Sequence, residues 1–254
     1  MIKRVVLRVC ILIFSAACVE QKSEDLRIAV SANMQFTIDD LVAAFKERTG
    51  IRCQVIIGSS GKLTAQIKEG APYDIFVSAD TSYPDQLFKE GYTMSAPKIY
   101  GYGKLVVWSR LDSTIPLIPL LTSQQVHHIA IANPKLAPYG KASVEVLKKM
   151  KVYDDIREKL VFGESILQTN QFVISGAAEV GFTSKSVVLS NKVKDIGSWV
   201  AVDQRDYKPI AQALVVIKHE GDQYKKAERF QEFFFTNTAK TILEKSGYTI
   251  NSEE

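Results

Sequence analysis

Four short apolar runs each break at small or turn-forming residues and pass directly into an amphipathic stretch, and this succession constrains the fold more than any other feature. Leu26–Ser31 leads into Ala32-Asn33, residues 52–57 into Gly58-Ser59-Ser60-Gly61, residues 128–132 into the Pro-rich turn before Tyr139-Gly140, and residues 160–162 into Gly163-Glu164-Ser165-Ile166. Strand, turn and helix in that order form the repeating unit of α/β proteins with largely parallel sheets. Each junction also delivers a helix N-terminus. Such an end carries several unpaired N–H donors and about half a positive charge, which makes it a ready site for an anion. A single junction of this kind is commonplace, so function turns on whether several converge.

The remaining chain fits two such units. Phe36, Ile38, Leu41, Val42, Ala44 and Phe45 stripe a helix that stops at Thr49-Gly50, with Asn33 near its N-cap. A helix over 62–69 ends at Gly70-Ala71-Pro72, where Ser59 or Ser60 also suits a capping role, and a third strand over 74–80 ends in Asp80. The run 104–108 is read as a strand crossing into a second domain. A helical turn is expected over 120–125, helices over 141–149 and 167–175, and strands over 178–183 and 197–203. Residues 210–217, nearly unbroken in apolar character, have the look of a buried parallel or central strand. They mirror 104–108 and take the chain back to the first domain, before helices over 224–235 and 238–245. The expected division is therefore a first lobe of residues 26–103 plus 210–254 and a second of 104–209. Two crossings between them place a cleft at a hinge.

The chain of 254 residues is 46% hydrophobic and 24% charged, enough to build such cores. Its net charge of +4, from 32 basic and 28 acidic residues, comes without the basic runs that follow nucleic acid. Nucleic acid is therefore excluded as a partner. Lys3, Arg4 and Arg8 precede an apolar stretch too short to span a bilayer, and Ser15-Ala16-Ala17-Cys18 has the form of a lipoprotein processing box. Residues 1–25 are accordingly read as a signal peptide and polar tether, with Cys18 lipidated and the protein held on the outer side of a membrane. Ordinary signal cleavage is the alternative. Cys10 would leave with the signal, so Cys53 would remain alone in the mature body, unable to form an internal disulfide and suited to a small buried apolar role. His127, His128 and His219 have no cysteine spacing that suggests a metal site.

The motifs, taken in order, resemble the molybdate-binding periplasmic proteins of ABC importers. The matching segments are Ala-Val-Ser-Ala-Asn33, Gly-Ser-Ser60-Gly-Lys-Leu, Gly-Ala-Pro-Tyr-Asp-Ile-Phe-Val-Ser-Ala-Asp80, Ile-Ala-Asn-Pro-Lys-Leu-Ala-Pro-Tyr139-Gly, Gly-Glu-Ser-Ile166-Leu-Gln-Thr and Gly-Ala-Ala-Glu-Val-Gly-Phe-Thr183. The resemblance extends over nearly everything from Leu26 to Ile250 and implies a two-lobed periplasmic-binding-protein fold. It implies no catalysis and no cofactor, with molybdate or tungstate captured between the lobes and passed to a membrane permease. Asn33 would offer its amide and side chain, Ser60 its hydroxyl and amide, and Tyr139 and Ile166 their backbone N–H groups. The Tyr139 hydroxyl is left unassigned. Ala32 and Ser59 flank the first two positions as secondary candidates. Ser184 stands where some members use a tyrosine hydroxyl, a shorter donor there.

Lys62 and Lys141, at helix starts, are read as facing solvent and attracting an anion only through the long-range field. Sulfate is the nearest alternative ligand. Phosphate keeps a proton near neutral pH and wants an acceptor that the four positions lack. An enzyme on the same scaffold would need a base near Ser60, and the sequence supplies none in evidence. A surface adhesion protein would have no need of four anion-directed turns. A monomer suits lobe closure.

Overall fold

The computed structural model describes residues 25–111, 117–218 and 222–250. The segment read as a signal peptide, with Cys18, lies outside the described residues, as does His219. Strands are β1 (Leu26–Ser31), β2 (Cys53–Gly58), β3 (Ile75–Val77), β4 (Lys98–Gly103), β5 (Leu105–Ser109), β6 (Ile129–Ala132), β7 (Leu160–Gly163), β8 (Val180–Ser184), β9 (Ser198–Ala201) and β10 (Ile210–Val216). Helices are α1 (Thr37–Thr49), α2 (Ser60–Lys68), α3 (Ser82–Lys89), α4 (Leu117–Thr122), α5 (Pro138–Lys149), α6 (Tyr153–Ile156), α7 (Ile166–Ser175), α8 (Lys185–Val188), α9 (Asp222–Phe233) and α10 (Asn237–Lys245).

Two five-stranded sheets result, ordered β2-β1-β3-β10-β4 and β7-β6-β8-β5-β9. They share one spatial arrangement, although the strand in fourth position is the last in the chain in the first sheet (β10) and the first in the second (β5). In each, three strands run parallel in the centre and at one edge, and the fourth position is held by a strand antiparallel to both neighbours. The chain passes from the first sheet to the second through one residue, Lys104, between β4 and β5. It returns through a short 3-10 turn, Gln204–Asp206, into β10. The long apolar run is thus central, as its composition indicates, but antiparallel.

Side-chain alternation decides what packs on each face of the first sheet. Leu26, Ile28 and Val30 of β1, Ile75 and Val77 of β3 and Leu214 and Val216 of β10 share one core with α1, α9 and α10. Ala29, Phe76 and Val215, the intervening residues, face the opposite way onto Leu63, Ile67 and Leu87 of α2 and α3. The first of these cores is filled by an aromatic cluster in which Phe45 meets Phe230 edge-on at 4.9 Å. The second sheet has its own core, built on β5, β6, β8 and the buried faces of α5 and α7.

Local chemistry sets the helix ends. Gly50 closes α1 in the left-handed region at φ 73°, and Gly176 closes α7 at φ 78°. Pro138 occupies the first turn of α5, where its missing N–H costs nothing. Three local expectations are corrected. Asn33 lies in a separate 3-10 turn, Ala32–Met34, and α1 begins only at Thr37, so Asn33 is not its N-cap. The helical turn expected over 120–125 is α4, Leu117–Thr122, because Pro119 is tolerated early in a helix. The strand expected over 197–203 shrinks to Ser198–Ala201 at a sheet edge, with Gly197 at φ 65° bending the chain before it.

Candidate functional site

The carboxyl ends of β1, β2 and β3 face those of β6 and β7 across the cleft between the lobes, and a small cavity lies there. Its wall is formed by Ser31, Ala32, Asn33, Ser59, Ser60, Ala79, Ala137, Pro138, Tyr139 and Ile166. Asn33, Ser60, Tyr139 and Ile166, drawn from four separate junctions, therefore meet at one place. Ala32 and Ser59 join them. All six are buried, with at most 3% of their surface exposed.

The wall is made for a negative charge that carries no proton. Ser60, Tyr139 and Ile166 sit in the first turns of α2, α5 and α7, where backbone N–H groups have no intrahelical acceptor. Among the described residues, none of these N–H groups, nor that of Asn33, donates to a backbone carbonyl outside its own element. Among the described residues, no ionisable side chain other than the Tyr139 phenol lines the cavity. Burial raises that phenol well above its ordinary pKa, and it stays neutral.

Ser60 is held by two contacts. Its Oγ lies 2.6 Å from Ser31 Oγ, and the Ala79 N–H reaches both oxygens at 3.1 Å. The two hydroxyls carry two protons; one lies between the oxygens and the other is free to donate into the cavity. Ser59 acts differently, capping α2 by accepting from the Lys62 N–H. Ser31 and Ala79, with Ala137 and Pro138, are wall residues that the sequence reading does not single out. Ser31 ends β1, Ala79 follows the end of β3 by two residues, and Ala137 and Pro138 are the cap and first residue of α5, so all four lie in the strand-to-helix junctions where such ligands bind.

Ser184 is not part of the wall. Its Oγ faces the Asn33 carbonyl at 3.3 Å and Ser186 Oγ at 2.9 Å, and Ser186 Oγ donates to the same carbonyl at 2.7 Å. Both serines belong to the second lobe and fix the peptide that carries Asn33. The Tyr139 hydroxyl is likewise spoken for, accepting from Gln212 Nε2 of β10 at 3.0 Å.

Contacts between lobes ring the cavity. Gly61 N–H donates to the Leu136 carbonyl at 2.9 Å, and the Tyr83 hydroxyl to the Lys135 carbonyl at 3.0 Å. Lys62 does not stand free in solvent; its Nζ pairs with Glu164 at 2.6 Å, both side chains about half-exposed. Lys192 pairs with Asp39 at 3.2 Å further round the rim. Asp80 lies beside the site rather than in it. Burial lifts its pKa, against hydrogen bonds from Ser82, the Tyr83 N–H and Ser78 and the nearby charge of Lys141. Those partners explain Asp80 as a structural carboxylate that organises the turn into α3.

Comparison with known proteins finds relatives that match most of the chain. The molybdate-binding protein ModA of Rhodobacter capsulatus is 38% identical over 221 residues, covering 87% of this chain and 86% of the relative. A Bacillus subtilis (strain 168) protein described as a putative ABC transporter substrate-binding lipoprotein is 28% identical over 90% of this chain and 88% of its own. Among solved structures, the periplasmic molybdate-binding protein of Azotobacter vinelandii superposes with a TM-score of 0.84 at 32% identity, over 89% of this chain and all of that one. The family model described as bacterial extracellular solute-binding protein matches residues 26–249. On that match, and on a two-lobed fold with its cavity between the lobes, the chain belongs to the bacterial extracellular solute-binding proteins.

Proposed function

We propose that this protein captures molybdate, or its congener tungstate, between its two lobes outside the cytoplasm and presents it to the permease of an ABC importer. The observation that carries this reading is the convergence of Asn33, Ser60, Tyr139 and Ile166, from both lobes, on one buried cavity walled by N–H and O–H donors. Hydrogen bonds to a charged acceptor are the strong kind, and a dianion held by several needs no buried cation. The relatives described as molybdate-binding supply the identity of the anion. Residues 26–103 with 210–254 form the first lobe and 104–209 the second, so closure moves α5 and α7 against β1 and α2. The protein acts as a monomer. Cys18 carries a lipid, a reading favoured by its processing box and by the lipoprotein description of the Bacillus relative.

No chemistry is performed on the ligand. The Ser60 hydroxyl has Ser31 Oγ and the Ala79 N–H as its neighbours, and neither is a base that could activate it as a nucleophile. Sulfate has the same charge and shape in a smaller body and remains the competing ligand. The test is thermal unfolding with molybdate, tungstate, sulfate and phosphate in turn. A ligand at a hundredfold excess over its dissociation constant adds about 2.7 kcal/mol, so molybdate and tungstate should shift the transition clearly and phosphate should not. Ser60→Ala should remove most of the shift. No response to molybdate or tungstate would refute the assignment.

A further inference from the structure

Behind the cavity wall, Gln212 of β10 is completely buried and touches both lobes. Its Oε1 accepts from Asn33 Nδ2 at 3.0 Å and from the Tyr100 hydroxyl at 2.7 Å, and its Nε2 donates across the cleft to the Tyr139 hydroxyl. Asn33 Nδ2 also donates to the Tyr248 hydroxyl at 3.0 Å. Two mismatches follow from this arrangement. Asn33 Oδ1 is left buried with no hydrogen-bond partner, on a residue that lines an otherwise donor-rich cavity. Tyr100 has one hydroxyl proton and faces two acceptors, Gln212 Oε1 and the Ser78 carbonyl at 3.1 Å.

Carboxamides have nearly the same shape with their oxygen and nitrogen exchanged. Exchanging Asn33 and Gln212 together removes the Tyr100 mismatch and turns the orphaned acceptor into an unengaged donor, which an anion can satisfy. Gln212 Nε2 then donates to Asn33 Oδ1 and to the Tyr100 oxygen, which frees the Tyr100 proton for Ser78. Gln212 Oε1 accepts from the Tyr139 hydroxyl, and the Tyr248 proton turns from Ser186 to Asn33 Oδ1. Asn33 Nδ2 takes the position of the orphaned oxygen. The cavity then gains a donor where it had an acceptor.

Resting on the function proposed above, we propose that Gln212 is a positioning residue for the anion: paired with Asn33 in this exchanged orientation, it turns the Asn33 amide nitrogen toward the ligand. The Tyr139 hydroxyl anchors its other end from the second lobe. Asn33 therefore has its donor locked only when the lobes are together, and anion binding and closure reinforce each other. The fold makes room for the anchor. A Cβ at Gly103, the residue before the crossing, would collide with both the Tyr139 hydroxyl and Gln212 Nε2.

The test is a double-mutant cycle read by titration calorimetry with molybdate, on chains whose thermal unfolding stays cooperative. Gln212→Met keeps the length and removes the polarity; it should weaken binding about tenfold or more. In an Asn33→Ala background the same change should cost little further affinity, since the group it orients is gone. If Gln212→Met weakens binding equally in both backgrounds, or not at all while the unaltered protein binds, Gln212 is only structural and the proposal falls. Should Gln212→Met fail to fold, Tyr139→Phe removes the anchor alone and must show the same dependence on Asn33. If the unaltered protein gives no heat with molybdate, it is the functional assignment that fails, and the two failures are distinguishable.

Discussion

Gly140→Ala is the most exacting single change for the site. Gly140 follows Tyr139 in the first turn of α5, and a Cβ there would lie 2.7 Å from the Ala132 carbonyl carbon and closer still to its oxygen. Ordinary contact begins near 3.4 Å, so α5 must retreat from the end of β6 by at least 0.7 Å, and further to clear the oxygen. Forcing one extra methyl into a packed interior costs about 1–3 kcal/mol, which lowers the unfolding temperature with or without ligand. The same retreat carries the Tyr139 N–H away from the cavity. A hydrogen bond near 2.9 Å stretched by that amount is no longer one. Losing a bond to a charged acceptor costs about 1.5–3 kcal/mol, or roughly 10- to 150-fold in affinity. Calorimetric titration with molybdate, beside a thermal melt of the free protein, separates the two effects. A Gly140→Ala protein that melts and binds as the unaltered one does would refute both the packing argument and the role given to the Tyr139 amide.

Two further outcomes concern the buried titratable groups. Burial pushes Tyr248 up to about 12 and Tyr100 and Tyr139 well above the ordinary value of 10.0. Below about pH 10 these phenols are neutral in both states and their contribution to stability is complete; as pH rises from there the unfolded chain ionises first, so stability should fall toward pH 12. Urea midpoints that stay level across that window would contradict the burial of the three rings. Cys53 is partly buried rather than enclosed as its sequence setting suggests, and burial, with the Asp25 charge, still pushes its thiol up to about 12, so it holds almost no thiolate at neutral pH. In a chain lacking residues 1–24, a thiol reagent should label it slowly in buffer and quickly in denaturant, and equal rates would show that it is accessible.

The sequence made the strand-turn-helix beat legible because strand and helix periodicities differ and the turns carry Gly, Pro and Ser. It also revealed that 104–108 and 210–217 occupy matching places, which became β5 and β10 in equivalent positions of the two sheets. Their antiparallel sense was hidden, since a strand buried on both faces has the same apolar character in either direction. Around the cavity, Ser60, Tyr139 and Ile166 were readable from position at helix starts, and Asn33 only from its place directly after β1. Ser31 was not, because a serine at a strand's end looks like any other until Ser60 and the Ala79 N–H are brought beside it. Gln212 was still less visible. A polar residue inside an apolar strand declares only that it has partners, and those partners lie 179 and 73 residues away in sequence.

The interleaving of β10 into the first sheet also bears on the order in which the molecule is assembled. β10 pairs with β3 on one side and β4 on the other, so the first sheet stays split until the chain has run through the whole second lobe and come back. The second sheet takes all its strands from one uninterrupted stretch, β5 to β9. Its loops are the shorter to close, and a growing or threading chain completes it first. The half of the cavity contributed by β1, β2 and β3 is therefore the last to become rigid. An incomplete chain has one finished lobe and no binding site, so anion affinity itself reports that the final strand has been inserted.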